Sequence, residues 1–181
     1  IRKAGARVEL WDVYDKDRNK KDYTMVRGEK IQPGDYLLVV HVCIFNVKGE
    51  MLIQQRQPFK EGWSNLWDLT LGGSATSGDT SQMAAQRELQ EELGIHIDFS
   101  EARPHITNHY EYGFDDIYFV ERELDLSTLQ LQYEEVQAVK WASKEEIVEM
   151  IKGGEFIPYY ESFISYIFDL QLSKQRHAIR K

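Results

Sequence analysis

Residues 72–95 read GGSATSGDTSQMAAQRELQEELGI: a glycine pair, a polar loop, then a well-marked helix. Asp79 with Gln82 three residues on fits a capping box, with Asp79 as the N-cap. Apolar periodicity runs through Ala85, Leu89 and Leu93 until Gly94 stops it. At about 100° per residue, Glu88, Glu91 and Glu92 fall within about 100° of one another, beside the apolar face. Carboxylates crowded in this way repel one another, and a divalent cation supplies the missing charge. Hard oxygen donors suit Mg²⁺, with Mn²⁺ as a substitute. Taken alone, the EELGI run reads equally as a solvated acidic face.

Working outward, WDLTL is a short strand that runs straight into Gly72 and Gly73, behind a loop rich in Pro, Gly and Trp from Pro58 to Trp67. YLLVVHVCIFN and MLIQQR, separated by the Lys48-Gly49 turn, read as two core strands joined by a hairpin. ELWDVYDKDRNK alternates and then turns, which predicts a strand and hairpin extension over residues 8–30. Downstream, DIYFVERELDL and EEVQAVKW read as strands. SKEEIVEMIKGG reads as a helix with a Ser N-cap and a Gly stop. A last helix over residues 159–173 places Phe163, Ile164, Ile167 and Phe168 on one face, and the basic tail 174–181 is expected to fray. Strands mixed with helices predict an α/β fold, a mixed sheet covered by helices, as one domain spanning 1–181.

Charge and composition narrow the function. The 181 residues carry 22 Lys+Arg against 30 Asp+Glu, a net −8, which argues against a nucleic-acid polymer as partner. One cysteine, Cys43, excludes an internal disulfide and a multi-Cys zinc site. The longest apolar run, Tyr36 to Phe45, has His41 inside it and is too short to cross a bilayer. With no apolar leader at the start, a cytoplasmic protein with no membrane partner is expected. His41, alone in an apolar run, reads as a hydrogen-bonded core residue and not as a ligand.

The spacing around the helix sharpens the reading. Gly73, five residues, Asp79, seven residues, then Arg87-Glu88-Leu89-Gln90-Glu91-Glu92-Leu93-Gly94-Ile95 resembles the Nudix box of the MutT-like Nudix hydrolases. The resemblance implies an α/β/α sandwich with a mixed β-sheet, and Mg²⁺-dependent cleavage of a nucleoside diphosphate derivative or a related organic diphosphate. It implies that Glu88, Glu91 and Glu92 hold the metal with the Gly72 carbonyl, and that Arg87 braces the motif. Asp79 stands where the family usually has Glu, and the shorter carboxylate either pairs with Arg87 or serves as the helix N-cap.

Beyond the box, VVHVCIFNVKGEMLIQQRQPFKEGWSNLWDLTLGG is similar to the isopentenyl diphosphate isomerase branch. Read without gaps, Arg56, Lys60, Trp63 and Trp67 fall on matching positions, and the resemblance implies that Arg56 and Lys60 grip the substrate's diphosphate. The isomerase's catalytic Cys, however, falls on Gly72 and its metal-binding His on Ser74. A later Glu-x-Glu pair is replaced by Phe114-Asp115-Asp116. Hydrolysis is therefore favoured over isomerisation and over a non-catalytic nucleotide-binding module. The base for the attacking water comes from Glu91, Glu92 or Glu135, with Asp115 and Asp116 as weaker candidates. Trp63, Trp67, Tyr110 and Tyr112 are expected mostly to pack, and an exposed apolar edge or the tail would support a homodimer.

Overall fold

A computed structural model describes residues 8–173, so the expectation of a frayed 174–181 lies outside the described residues. The continuous apolar run forms the central strand of a mixed sheet. β3 (Leu37–Phe45) lies parallel to β8 (Gly113–Glu121) and antiparallel to β6 (Leu71–Ser74). β7 (Ile106–Tyr110) pairs antiparallel with β8 at the edge. β7 was not legible as a strand because ITNHY is mostly polar and exposed, without the alternation of a half-buried strand.

The hairpin expected between β3 and β4 (Met51–Arg56) holds only at its base, where Phe45 faces Met51. Beyond it β4 departs to pair with β9 (Val136–Ala142) and β5 (Trp67–Asp68). WDLTL likewise divides between β5 and β6, and Thr70 explains how. Its hydroxyl accepts the Ile44 N–H at 3.0 Å and donates to the Leu52 carbonyl, satisfying one backbone group on each side of the split.

Helices cover both faces. α1 (Ser81–Leu93) packs Ala84, Ala85, Leu89 and Leu93 against Val40, Val42 and Ile44. α2 (Lys144–Lys152) and α3 (Glu161–Leu172) pack Ile147, Ile164, Ile167 and Phe168 against Cys43, Phe45, Ile53 and Phe119. The outcome is the α/β/α sandwich. As read, Ser143 caps α2 by accepting the Glu146 N–H at 3.1 Å, and Gly153 ends it. No described helix is long and apolar enough to cross a membrane.

At the N-terminus β1 (Leu10–Tyr14) and β2 (Lys20–Val26) form a two-stranded hairpin with a small core of Val13, Met25 and Leu37. Asp12, 8% exposed, fastens it to the loop before α1 by accepting the Ser77 hydroxyl at 3.0 Å and the Gly78 N–H at 2.8 Å. Asp12→Ala leaves those donors unpaired near the surface. It should cost about 1–3 kcal/mol in urea denaturation, and no measurable change would show that the hairpin docks by other means.

Candidate active site

The carboxylate face of α1 is set by how closely the helix approaches β6. A Cβ built on Gly73 would lie 2.6 Å from Glu88 Cγ and 2.8 Å from its Cδ, so only glycine leaves room for that side chain. Glu92, one turn on, is 8% exposed, and its Oε2 accepts Gln54 Nε2–H at 3.0 Å from β4. Burial pushes the Glu92 carboxyl up, against the Gln54 hydrogen bond and helped by the charges of Glu88, Glu135 and Asp68, to about 8. Burial also raises Glu88, with Arg87 working against it. Glu91 is half exposed.

Arg87 ties this face together. It donates to Asp79 Oδ2 at 2.8 and 3.2 Å, to Glu88 Oε1 at 3.0 Å, to Glu91 Oε2 at 3.3 Å and to the Ser74 carbonyl at 3.2 Å. Asp79 is therefore the brace of Arg87. The N-cap expected of it belongs to Thr80, whose hydroxyl accepts the Met83 N–H at 3.1 Å. The reason is local: the Asp79 Oδ2 already takes the Thr76 N–H and hydroxyl at 3.0 and 2.9 Å, and so faces the loop instead of the helix end. Among the described residues no three His, Cys, Asp or Glu side chains stand gathered as a ready-made ion cage. Arg87 draws Glu88 and Glu91 to itself instead.

Across from the helix, Arg56 follows Gln54 at i+2 on β4, which puts both side chains on one face of that strand. Arg56 Nε is buried with no hydrogen-bond partner, a costly state for part of a cation. Lys60 Nζ lies 2.5 Å from Glu135 Oε2, so the two predicted site residues meet each other. The loop between them is tied to β9 by Gln137 Nε2, which donates to the Arg56 carbonyl at 2.7 Å and to Asn65 Oδ1 at 2.6 Å. Beside that loop, the exposed rings of Phe59 and Tyr133 lie 5.6 Å apart. Trp63 is 53% exposed, while Trp67 is partly buried under Lys140. Tyr110 and Tyr112 are surface residues.

The weaker base candidates are already engaged. Asp116 is fully buried and holds Arg18 and the Thr107 hydroxyl. Asp115 Oδ1 lies 2.7 Å from His41 Nδ1, confirming His41 as a hydrogen-bonded residue of the central strand. Burial works against charge on His41, but Asp115 outweighs it and raises the imidazole. Burial pushes the Cys43 thiol far up, as for an inert core residue. Sequence reasoning missed Gln54 and Asp68. Gln54 was signalled by a polar residue at an inward position of MLIQQR. Asp68 accepts the Tyr159 hydroxyl at 2.8 Å, and nothing local marked it.

A sequence model of the NUDIX domain matches residues 35–161. An uncharacterized Nudix hydrolase of Listeria monocytogenes is 49% identical over 170 residues, covering 94% of this chain and 99% of that protein. An isopentenyl-diphosphate Delta-isomerase of Shigella flexneri is 27% identical over 124 residues, 64% of this chain and 65% of the isomerase. In fold, the chain is similar to a crystal structure from Deinococcus radiodurans with a TM-score of 0.72, at 22% identity, over 87% of this chain and 98% of that one.

Two outcomes follow from the packing of α1. Gly73→Ala must displace the Glu88 carboxyl, so activity should fall by at least about 100-fold, as for other displacements of a site by roughly 1 Å. An active Gly73→Ala enzyme would show that Glu88 has slack. In metal-free protein, Glu92 takes up its proton more tightly folded than unfolded, since its pKa rises from 4.5 to about 8. That stabilisation is complete below about pH 4.5 and is lost as pH rises through 8. Thermal melts in chelator should therefore fall more steeply from pH 5 to 8 for wild type than for Glu92→Gln. Parallel curves would mean that Glu92 is not held neutral.

Proposed function

Because the chain belongs to the Nudix hydrolase family, we propose that it is a divalent-metal-dependent pyrophosphohydrolase cleaving a nucleoside diphosphate derivative or a related organic diphosphate. The observation that carries this reading is how the α1 carboxylate face meets β4, where one nitrogen of Arg56 has no partner; the space between them is the cleft that this reading gives to the substrate. Gln54 links Glu92 to β4, and Arg56, two residues on, has a buried Nε that lacks any partner. A phosphate oxygen is the group that such a nitrogen accommodates, and Arg offers it a planar fork.

The donor set fits a hard divalent cation. Glu88 and Glu92 are largely buried carboxyls raised by desolvation, a state that an added positive charge relieves. Glu88, Glu91, Glu92 and the Gly72 carbonyl would hold Mg²⁺ or Mn²⁺, which when bound supplies positive charge against phosphoryl oxygens and makes water more acidic. The chain's own residues do the rest. Arg56 and Lys60 bind and orient the diphosphate, with Glu135 holding Lys60 in place before substrate arrives. Asp79 keeps Arg87, and through it the carboxylate face, in position. A proton from the attacking water passes to a carboxylate at Glu91, Glu92 or Glu135, with bond formation at phosphorus and departure of the phosphate leaving group.

Position 72 supports hydrolysis over isomerisation. A Cβ there would lie 2.9 Å from His41 Nε2, so a cysteine at this site has to push His41 aside. Gly72→Cys should gain no isomerase activity toward isopentenyl diphosphate.

The decisive assay is phosphate release from nucleoside di- and triphosphates, sugar nucleotides and prenyl diphosphates with Mg²⁺ or Mn²⁺. Wild type, Glu92→Gln and Arg56→Gln are run together. We expect turnover of one class, its loss in Glu92→Gln, and a KM raised about tenfold or more in Arg56→Gln. Tight metal-independent binding with no turnover would replace the hydrolase reading with a binding module.

A further inference from the structure

The N-terminal hairpin lies outside the residues that the NUDIX domain matches, yet it is fastened to the box loop. The Leu10 carbonyl accepts the Ser77 N–H at 2.8 Å, and Asp12 accepts the Gly78 N–H. Following β1 backward from Asp12 to Leu10 thus follows the loop backward toward the box glycines. The hairpin end that carries Glu9 and Arg27 is the end nearer the carboxylate face.

At that end three side chains form a small construction. Arg27 Nη1 donates to Glu9 Oε2 at 2.9 Å, and Trp11 Nε1 donates to Glu9 Oε1 at 2.7 Å. The guanidinium lies over the Trp11 ring, 5.9 Å from its centroid. Arg27 itself remains 59% exposed, and an exposed ion pair adds little to stability, so holding the hairpin does not account for it. The hairpin already has Asp12 and its own apolar core for that task.

The cluster and the cleft also feel each other's charge. Glu135 and Glu88 favour the Arg27 cation, Arg87 favours the Glu9 carboxylate, and Glu9 disfavours ionisation of Glu88. Such effects between partly exposed groups fade beyond about 10 Å at ordinary salt.

Resting on the reading that a diphosphate occupies this cleft, we propose that Arg27 is a third phosphate-binding side chain, joining Arg56 and Lys60 from the hairpin side. Glu9 and Trp11 hold its guanidinium extended toward the cleft, and the phosphate exchanges with Glu9 as its partner. The hairpin thereby becomes one wall of the substrate site. Its cation offsets part of the repulsion between a polyanionic substrate and the acidic helix face.

The test is a calorimetric titration of inorganic pyrophosphate in Mg²⁺ buffer into wild type, Arg27→Gln, Glu9→Gln and Arg56→Gln, with a thermal melt of each. Arg27→Gln should weaken binding about tenfold, the effect of losing one charge-assisted partner, with its melting temperature close to that of wild type. Glu9→Gln should bind at least as tightly as wild type, since it frees Arg27 and removes a repelling carboxylate. If Arg27 only braces the hairpin, the two substitutions break the same pair and weaken binding alike, which overturns the proposal. Wild-type affinity in Arg27→Gln, with a loss in Arg56→Gln, overturns it while leaving the hydrolase reading intact. No binding by wild type would overturn both.

Discussion

The close approach of α1 to β6 is the constraint on which the rest of the site depends. At Gly73 there is no space for even a methyl group against Glu88, so the helix is seated at a fixed distance and rotation. With Leu89 and Leu93 committed to the core, the residues on the neighbouring stripe have one direction left to face. Glu88 and Glu92 turn toward the gap in the sheet, while Glu91 stays near solvent. Arg87 then has its partners dictated: Asp79 and Ser74 on the loop side, Glu88 and Glu91 on the helix side. One partly buried guanidinium thus couples the loop, the strand end and the carboxylate face.

The gap itself comes from a second feature. A mixed sheet whose central strand had kept β4 beside it throughout would have no cleft. Here β3 and β4 touch only at the base of their turn, and Thr70 offers its hydroxyl to both strands where they part. That hydroxyl meets one backbone group on each side of the split, and the polar residues Gln54, Arg56 and Asp68 lie on the departing strands β4 and β5. Like charges are concentrated there, with Glu92 more than nine-tenths buried and acted on by three other carboxylates. A fold maintains such an arrangement only at a cost in stability, and strongly perturbed carboxyls of this kind cluster at functional sites.

Relatives of this chain include both Nudix hydrolases and isopentenyl-diphosphate isomerases. In this chain the position opposite His41 is glycine, so no thiol reaches the cleft from β6. The only cysteine is buried on β3 and inert. Asp115 and Asp116, which could have served as further acids, are committed to His41 and to Arg18 with Thr107. What remains for the proposed chemistry are the α1 carboxylates, the basic pair Arg56 and Lys60, and Glu135.

Much of this was legible in the sequence alone, because some information is local. The helix with its glutamates, the glycine pair before it, the two later helices, the caps of the first of these and the long apolar strand each follow from short-range periodicity and capping. That periodicity fixes which residues share a face whatever surrounds them. The tertiary structure alone decided three matters: that β3 and β4 separate, that Asp79 braces Arg87 while Thr80 caps the helix, and that Lys60 meets Glu135. It also fastened the N-terminal hairpin to the loop before α1, through Leu10 and Asp12. Each of these joins residues far apart in the chain or chooses between hydrogen-bond partners of similar strength. Such choices are made by the geometry of the packed whole, where a shift of an ångström changes which donor an oxygen can reach.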